Sequence, residues 1–302
     1  MTTRSVVLRP AAKINLTLRV GPRRADGYHD VRTLLQSIAL GDAITFTRRP
    51  GPLSLQSRAP GIPADRTNLV LRAAEALWKA AGRSGEPRDV HVRLEKQIPA
   101  AAGLGGGSAD AAAALVAFNG IWDLRRQRKD LIEIAATLGS DVPFFLYGGT
   151  AFATGRGEEV YPVDDIGRLG VVIIKPSFGV GTPDAYRWLD EDRADGAEPS
   201  LKFDHGRANR SVDVGWATGP IEIVNDLEAP VARRHPGIGE MISACLREGA
   251  LTAAMTGSGS AVFGLFSEAN AKRAIPKLQR PDWLVVLSRT LTRKEAERRT
   301  GV

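Results

Sequence analysis

The chain has 302 residues, 43% hydrophobic and 25% charged, with a formal charge of +7, the make-up of an ordinary globular protein large enough for two domains. Its single cysteine, Cys245, excludes an intrachain disulfide and a cysteine metal cluster. No apolar run approaches the length of a membrane span, and Val6–Leu8 before Arg9 is too short for a secretory leader, so a cytoplasmic protein without a membrane partner is expected.

Taken in order, Ser5–Leu8 and Ile14–Val20 read as strands, with Ile14, Leu16, Leu18 and Val20 alternating with polar neighbours. Lys13 interrupts these apolar segments. It serves either as an edge-strand gatekeeper or as a cation for a phosphate, a carboxylate or a hydroxyl. Pro22–Gly27 is a polar turn, followed by Tyr28 and His29, which either pack the turn or stack on a base. Val31–Ala39 is mixed, Ala43–Thr47 is a strand, and Pro50–Asp65 is a loop with a short strand near Leu53–Gln56. Leu69–Ala81 is an amphipathic helix, and the strand Val90–Lys96 delivers the chain into Pro99–Leu115, PAAAGLGGGSADAAAAL.

Four glycines, Gly103, Gly105, Gly106 and Gly107, occupy five positions there. They permit backbone conformations and close approaches that side chains block. Ser108 or Asp110 is placed to cap a helix over Ala109–Trp122. A glycine loop feeding a helix N-terminus offers N–H groups and a positive dipole to an anion, so the loop reads as a phosphate cradle. It fits neither common fingerprint. The chain lacks a Gly-Lys pair, and Ser108 stands where a third dinucleotide-site glycine belongs. The protein kinase motifs are missing too.

Further on, Arg128–Leu138 is a helix and Asp141 follows its glycine stop. Asp141 serves either as a turn or cap residue or as a base for a substrate hydroxyl. Phe144–Leu146, Thr150–Thr154 and Gly170–Lys175 read as strands, and a helix starts at Pro183–Leu189. Asp190–Trp216 is polar and irregular. Asp226–Arg234, Gly239–Glu248 and Glu268–Leu278 read as helices, and Ala253–Met255, Ala261–Phe266 and Trp283–Leu287 as strands. Thr256–Ser260, TGSGS, is a tight turn or a second donor loop. The densest basic set, Arg289, Arg293, Lys294, Arg298 and Arg299, reads as a solvated helix face or tail, and nucleic acid is not an expected partner. The four histidines are far apart in the chain and form no metal motif. The element order indicates α+β with helices layered on sheet. A composition change near residues 155–165 suggests domains 1–158 and 159–302.

The loop Pro99–Ala109 resembles the second motif, and Thr256–Ser260 the third, of the galactokinase, homoserine kinase, mevalonate kinase and phosphomevalonate kinase superfamily. Three further segments resemble one branch of it, the 4-diphosphocytidyl-2-C-methyl-D-erythritol kinases: AAKINLTLRVGPRRADGYHDVRTLLQSIALGD, GSDVPFFLYGGTAFATGRGE, and Asn225-Asp226-Leu227-Glu228. The resemblance implies a two-domain fold, with an N-terminal ribosomal-protein-S5-like nucleotide domain and a C-terminal ferredoxin-like substrate-side domain. It implies transfer of the γ-phosphoryl group of ATP, with Mg²⁺, to the 2-hydroxyl of a substrate bearing a cytidine diphosphate group, on the non-mevalonate route to isoprenoids. Lys13 and Asp141 match the catalytic pair, with Asp141 as base. Asn15, Tyr28, His29 and Tyr186 match substrate-side positions, with Tyr28 and Tyr186 against the base. Asn68, Leu69 and Lys96 match positions near adenine. Pro99, Ala100, Ala101, Ala102, Gly103, Leu104, Gly105, Gly106, Gly107, Ser108 and Ala109 match the triphosphate loop. Ala109 replaces a usual second serine, which leaves Ser108 as the loop's hydroxyl toward phosphate or metal. Ala101 and Ala102 replace frequent glycines, which stiffens the loop. The alternatives are another small-molecule kinase of the superfamily and a non-catalytic nucleotide sensor. The Tyr28-His29 turn argues against the first, and intact Lys13 and Asp141 against the second.

Overall fold

A computed structural model describes residues 5–196, 211–212 and 221–302. The N-terminal half holds two sheets. One runs in the order Ser5–Leu8, Ala43–Pro52, Arg88–Glu95, Ser54–Ser57, and its last pair is parallel. Parallel neighbours need a crossover, and the helix Leu69–Ala80 supplies it. The other runs Val224–Asn225, Ala11–Arg23, His29–Gly41, Thr150–Thr154, Glu159–Pro162.

The helix Gly106–Ile121 lies in the N-terminal core, where Ala109 and Ala111–Ala114 are fully buried. Methyl side chains let neighbouring backbones approach closely, and a helix apolar on all sides belongs inside. Phe118 of this helix shares one core cluster with Phe46, Leu77 and Phe144 from its neighbours.

The C-terminal sheet is antiparallel, in the order Thr252–Met255, Val262–Phe266, Gly170–Pro176, Trp283–Arg289. By chain position these strands are second, third, first and fourth, and helices precede the second and the fourth. That is the ferredoxin-like pattern. A third cluster, including Ile14, Leu16, Ile38, Leu104, Ile173 and Phe263, takes residues from both halves. The hairpin between Thr150–Thr154 and Glu159–Pro162 crosses the division expected after Glu158, and residues 163–169 lead from it to Gly170–Pro176.

Several expectations change. Phe144–Leu146 is not a strand. It lies in the helix Val142–Tyr147, where Pro143 sits in the first turn and the N–H of Gly148 bonds Phe144 O at 2.8 Å. The helix after the glycine loop starts at Gly106 rather than Ala109, because its first turn is built from the glycines themselves. Asp190–Ala194 continues the helix Thr182–Ala194 instead of being irregular; residues 197–210 and 213–216 lie outside the described part. Of the two readings of the basic C-terminal segment, helix face or tail, the helix holds, but its face is not merely solvated. The segment forms the helix Arg293–Thr300, whose Arg299 donates to Ala39 O at 2.8 Å and whose Arg293 donates to Val163 O at 2.7 Å. No described helix is long and apolar enough to cross a membrane.

Candidate active site

A cavity of about 1080 Å³ is lined from both halves. Its floor on one side is the glycine loop. Gly105, in the left-handed conformation, precedes the helix, and no side chain caps this end. The first loop-to-helix bond runs from Ala109 N–H to Gly105 O at 2.9 Å. The N–H groups of Gly106, Gly107 and Ser108 therefore precede the helix's own ladder. Capping by Ser108 or Asp110 does not occur. Ala109 does not line the cavity either, because its methyl is in the core and its N–H is spent. Ala101 adopts φ +50°, a region where a glycine carries no steric cost.

The second glycine loop closes against the first. A β-carbon on Gly103 would stand 2.1 Å from Thr256 O, and one on Gly257 3.1 Å from Gly103 O. Asn225 holds this second loop by donating to Met255 O at 2.9 Å and Gly257 O at 2.8 Å. Gly257, Ser258 and Gly259 line the cavity.

Lys13 reaches the same space from the strand Ala11–Arg23. Its ammonium is almost wholly buried, 2.6 Å from Asn15 Oδ1 and 3.5 Å from Asp141 Oδ2. Asn15 is itself fixed, donating through Nδ2 to Thr33 Oγ1 at 2.8 Å. Asp141 stands at the start of the helix Val142–Tyr147 with its carboxylate 40% exposed. Two residues 128 positions apart in the chain thus meet across the cavity wall, one buried cation and one accessible anion.

Beyond them lies an aromatic end. Tyr28 is 55% exposed, and the Arg156 guanidinium sits 5.1 Å from its ring centre. His29 stacks on Tyr186 at 5.1 Å. Burial, and then the nearby Asp141 carboxylate, push the Tyr186 hydroxyl up to about 12, so it stays protonated at neutral pH.

At the opposite end, Asn68 caps the helix Leu69–Ala80 by accepting from Val70 N–H at 2.9 Å, and Asn68, Leu69 and Lys96 all line the cavity. The Lys96 ammonium bonds Asp42, and Asp110 Oδ2 at 2.7 Å. Burial pushes the Asp110 carboxyl up to about 8, while its two carboxylate neighbours outweigh burial and raise Lys96. A neutral Asp110 leaves this buried triad with no net charge. Asp42, Asn225 and Asp190 escaped sequence reading, because each acts through a partner remote in the chain. Only the segment Asn225–Glu228 carried a signal, through the resemblance.

Residues 68–149 match the family of GHMP kinases N terminal domains, and residues 197–281 that of GHMP kinases C terminal domains. The chain is 42% identical over 282 residues to the 4-diphosphocytidyl-2-C-methyl-D-erythritol kinase of Moorella thermoacetica, covering 92% of this chain and 96% of that one. It is 42% identical over 288 residues to the enzyme of the same name from Pelotomaculum thermopropionicum, with the same coverage. Among solved structures, a 4-(cytidine 5'-diphospho)-2C-methyl-D-erythritol kinase superposes with a TM-score of 0.75 at 34% identity, over 94% of this chain and 99% of the other. A homoserine kinase from Cytophaga hutchinsonii superposes with a TM-score of 0.67 at 18% identity, over 97% and 96% of the two chains, a likeness of fold.

Proposed function

This chain belongs to the 4-diphosphocytidyl-2-C-methyl-D-erythritol kinases, within the GHMP kinases, and we propose that it transfers the γ-phosphoryl group of ATP to the 2-hydroxyl of 4-diphosphocytidyl-2-C-methyl-D-erythritol. One observation carries the reading. The Lys13–Asp141 pair faces the same cavity as the unclaimed N–H groups of Gly106, Gly107 and Ser108.

Phosphoryl transfer needs alignment and charge stabilisation more than covalent help. In this reading Asp141 accepts the proton of the attacking hydroxyl. Lys13, held by Asn15, orients that hydroxyl and faces the charge that builds on it. The glycine loop receives the triphosphate on preorganised N–H groups. Asn68, Leu69 and Lys96 border the adenosine end, and Asn15, Tyr28, His29 and Tyr186 border the cytidyl end. Mg²⁺ belongs with the nucleotide. Such an ion usually keeps several waters and takes few protein ligands. Ser108 is the loop hydroxyl open to it, and the ion would offset triphosphate charge. The setting proposed is the cytoplasm, on the non-mevalonate route to isoprenoids.

The test is ADP release with Mg-ATP and the cytidyl alcohol, against mevalonate as control. Turnover is expected with the cytidyl alcohol alone. Asp141→Asn is expected to lower kcat by about 10²–10⁴-fold while calorimetry still registers ATP binding. Near-normal turnover in that variant removes the base assignment.

A further inference from the structure

We propose that Asp190 is a positioning residue, which fixes His29 as the Nε2–H tautomer and leaves Nδ1 as an acceptor that selects an amino-bearing pyrimidine over an oxo-bearing one. This rests on the reading that a cytidyl group enters the aromatic end of the cavity.

The geometry is specific. His29 opens the strand His29–Gly41 and lines the cavity although only 6% of it is exposed. Its Nε2 is 2.8 Å from Asp190 Oδ1. A carboxylate only accepts hydrogen bonds, so Nε2 carries the proton. In a neutral imidazole the other nitrogen then presents a lone pair. Among the described residues, Nδ1 has no hydrogen-bond partner. Tyr186 stacks on the ring with 29° between the planes. Tyr186 and Asp190 are four residues apart on the helix Thr182–Ala194, so they share one face of it. One turn of helix thereby grips the imidazole by its face and its edge. That helix is itself anchored: Arg193 donates to Val20 O at 2.6 Å and Gly21 O at 3.1 Å, and Asp192 accepts from Arg234 at 3.1 Å. The ring is held against rotation, and a flip would exchange donor for acceptor.

The consequence is chemical. Cytosine presents an amino group where uracil presents a carbonyl oxygen. A fixed lone pair bonds the first and repels the second, and a buried polar group left unpaired makes discrimination steep. Without Asp190 either tautomer is open to His29.

The experiment compares wild type, Asp190→Ala and Asp190→Asn, with the cytidyl alcohol and its uridyl counterpart, titrating ATP separately. Melting curves and ¹⁵N spectra of the histidine rings accompany the kinetics. Asp190→Ala is expected to raise KM for the cytidyl alcohol about 10- to 100-fold, the range for losing one hydrogen bond to a charged group. KM for ATP stays put and the cytidyl-over-uridyl preference narrows. Asp190→Asn restores most of both, since its amide oxygen accepts from Nε2–H. An unchanged preference in Asp190→Ala overturns the inference, as does a parallel rise in both KM values with a lowered Tm. Should the alanine variant fail to fold, the wild-type spectrum decides: a proton on Nδ1 of His29 overturns it. A wild type that turns over neither pyrimidine sinks the proposed function and this inference together. A wild type active on the cytidyl alcohol beside an unchanged alanine variant sinks the inference alone.

Discussion

Gly103 shows how finely the two glycine loops are fitted. It has φ +73°, and a β-carbon there would collide with Thr256 O at 2.1 Å. Backbone cannot swing aside like a side chain, so one loop must retreat. Gly107 differs: its β-carbon would meet only Leu69 Cδ1 at 3.5 Å, an ordinary contact. Gly103→Ala is therefore expected to cost ~1–3 kcal/mol of stability and to raise KM for ATP about tenfold or more. Gly107→Ala should change stability by less than about 1 kcal/mol. Denaturant melts and ATP titrations check this, and equal losses in the two variants would contradict it. At this scale the sequence was legible where residues sit inside a dense motif. The glycine loop could be read as a cradle from its composition alone. Lys13 and Asp141 each kept a bland alternative until the resemblance weighed them. Asp42 and Asp190 left no local mark, since a carboxylate 54 or 161 positions from its partner looks like any other surface acid.

The elements show where local pattern and tertiary context part. An apolar trio such as Phe144–Leu146 suits strand or helix equally. The proline in its first turn and the glycine after it settle the matter for helix. The helix Gly106–Ile121 begins three residues before the propensity run, because burial and docking outweigh glycine's cost of roughly 1 kcal/mol per residue. Asp110, on its second turn, ties it to Lys96 and Asp42. Folding raises the Asp110 carboxyl from 3.8 to about 8. The folded state then binds more protons than the unfolded state between those values, so stability falls as pH rises through that window. Lys96, also raised, acts above its ordinary 10.5 and leaves the window to Asp110. Asp110→Asn should flatten the decline of Tm between pH 5 and 8 relative to wild type (about the span set by Asp110). A variant whose Tm keeps the wild-type slope would remove this assignment.

Across the whole molecule, α+β layering was legible from element order, since runs of strands, helices and βα alternation admit few architectures. The ferredoxin-like order of the second half came from resemblance and is matched by the strand order. The helix Arg293–Thr300 was legible as one of two readings, a solvated helix face or tail, but its docking was not. Arg293 and Arg299 spend donors on the carbonyls of Thr150, Val163 and Ala39, and Glu295 of the same helix is pulled down to about 2, chiefly by the Arg289 guanidinium ahead of it. Deleting residues 293–302 should lower Tm and weaken ATP binding while leaving the C-terminal sheet's amides protected from hydrogen exchange. Loss of protection there first would refute this.

The same helix bears on how the protein is made. Arg9 N–H bonds Arg299 O at 2.8 Å, and Arg128 pairs with Glu297 at 3.1 Å. A ribosome emits Arg9 and Arg299 290 positions apart, and Arg128 and Glu297 169 apart, at roughly 5–20 residues per second. The N-terminal half must therefore wait with an open seam until the helix Arg293–Thr300 has been released.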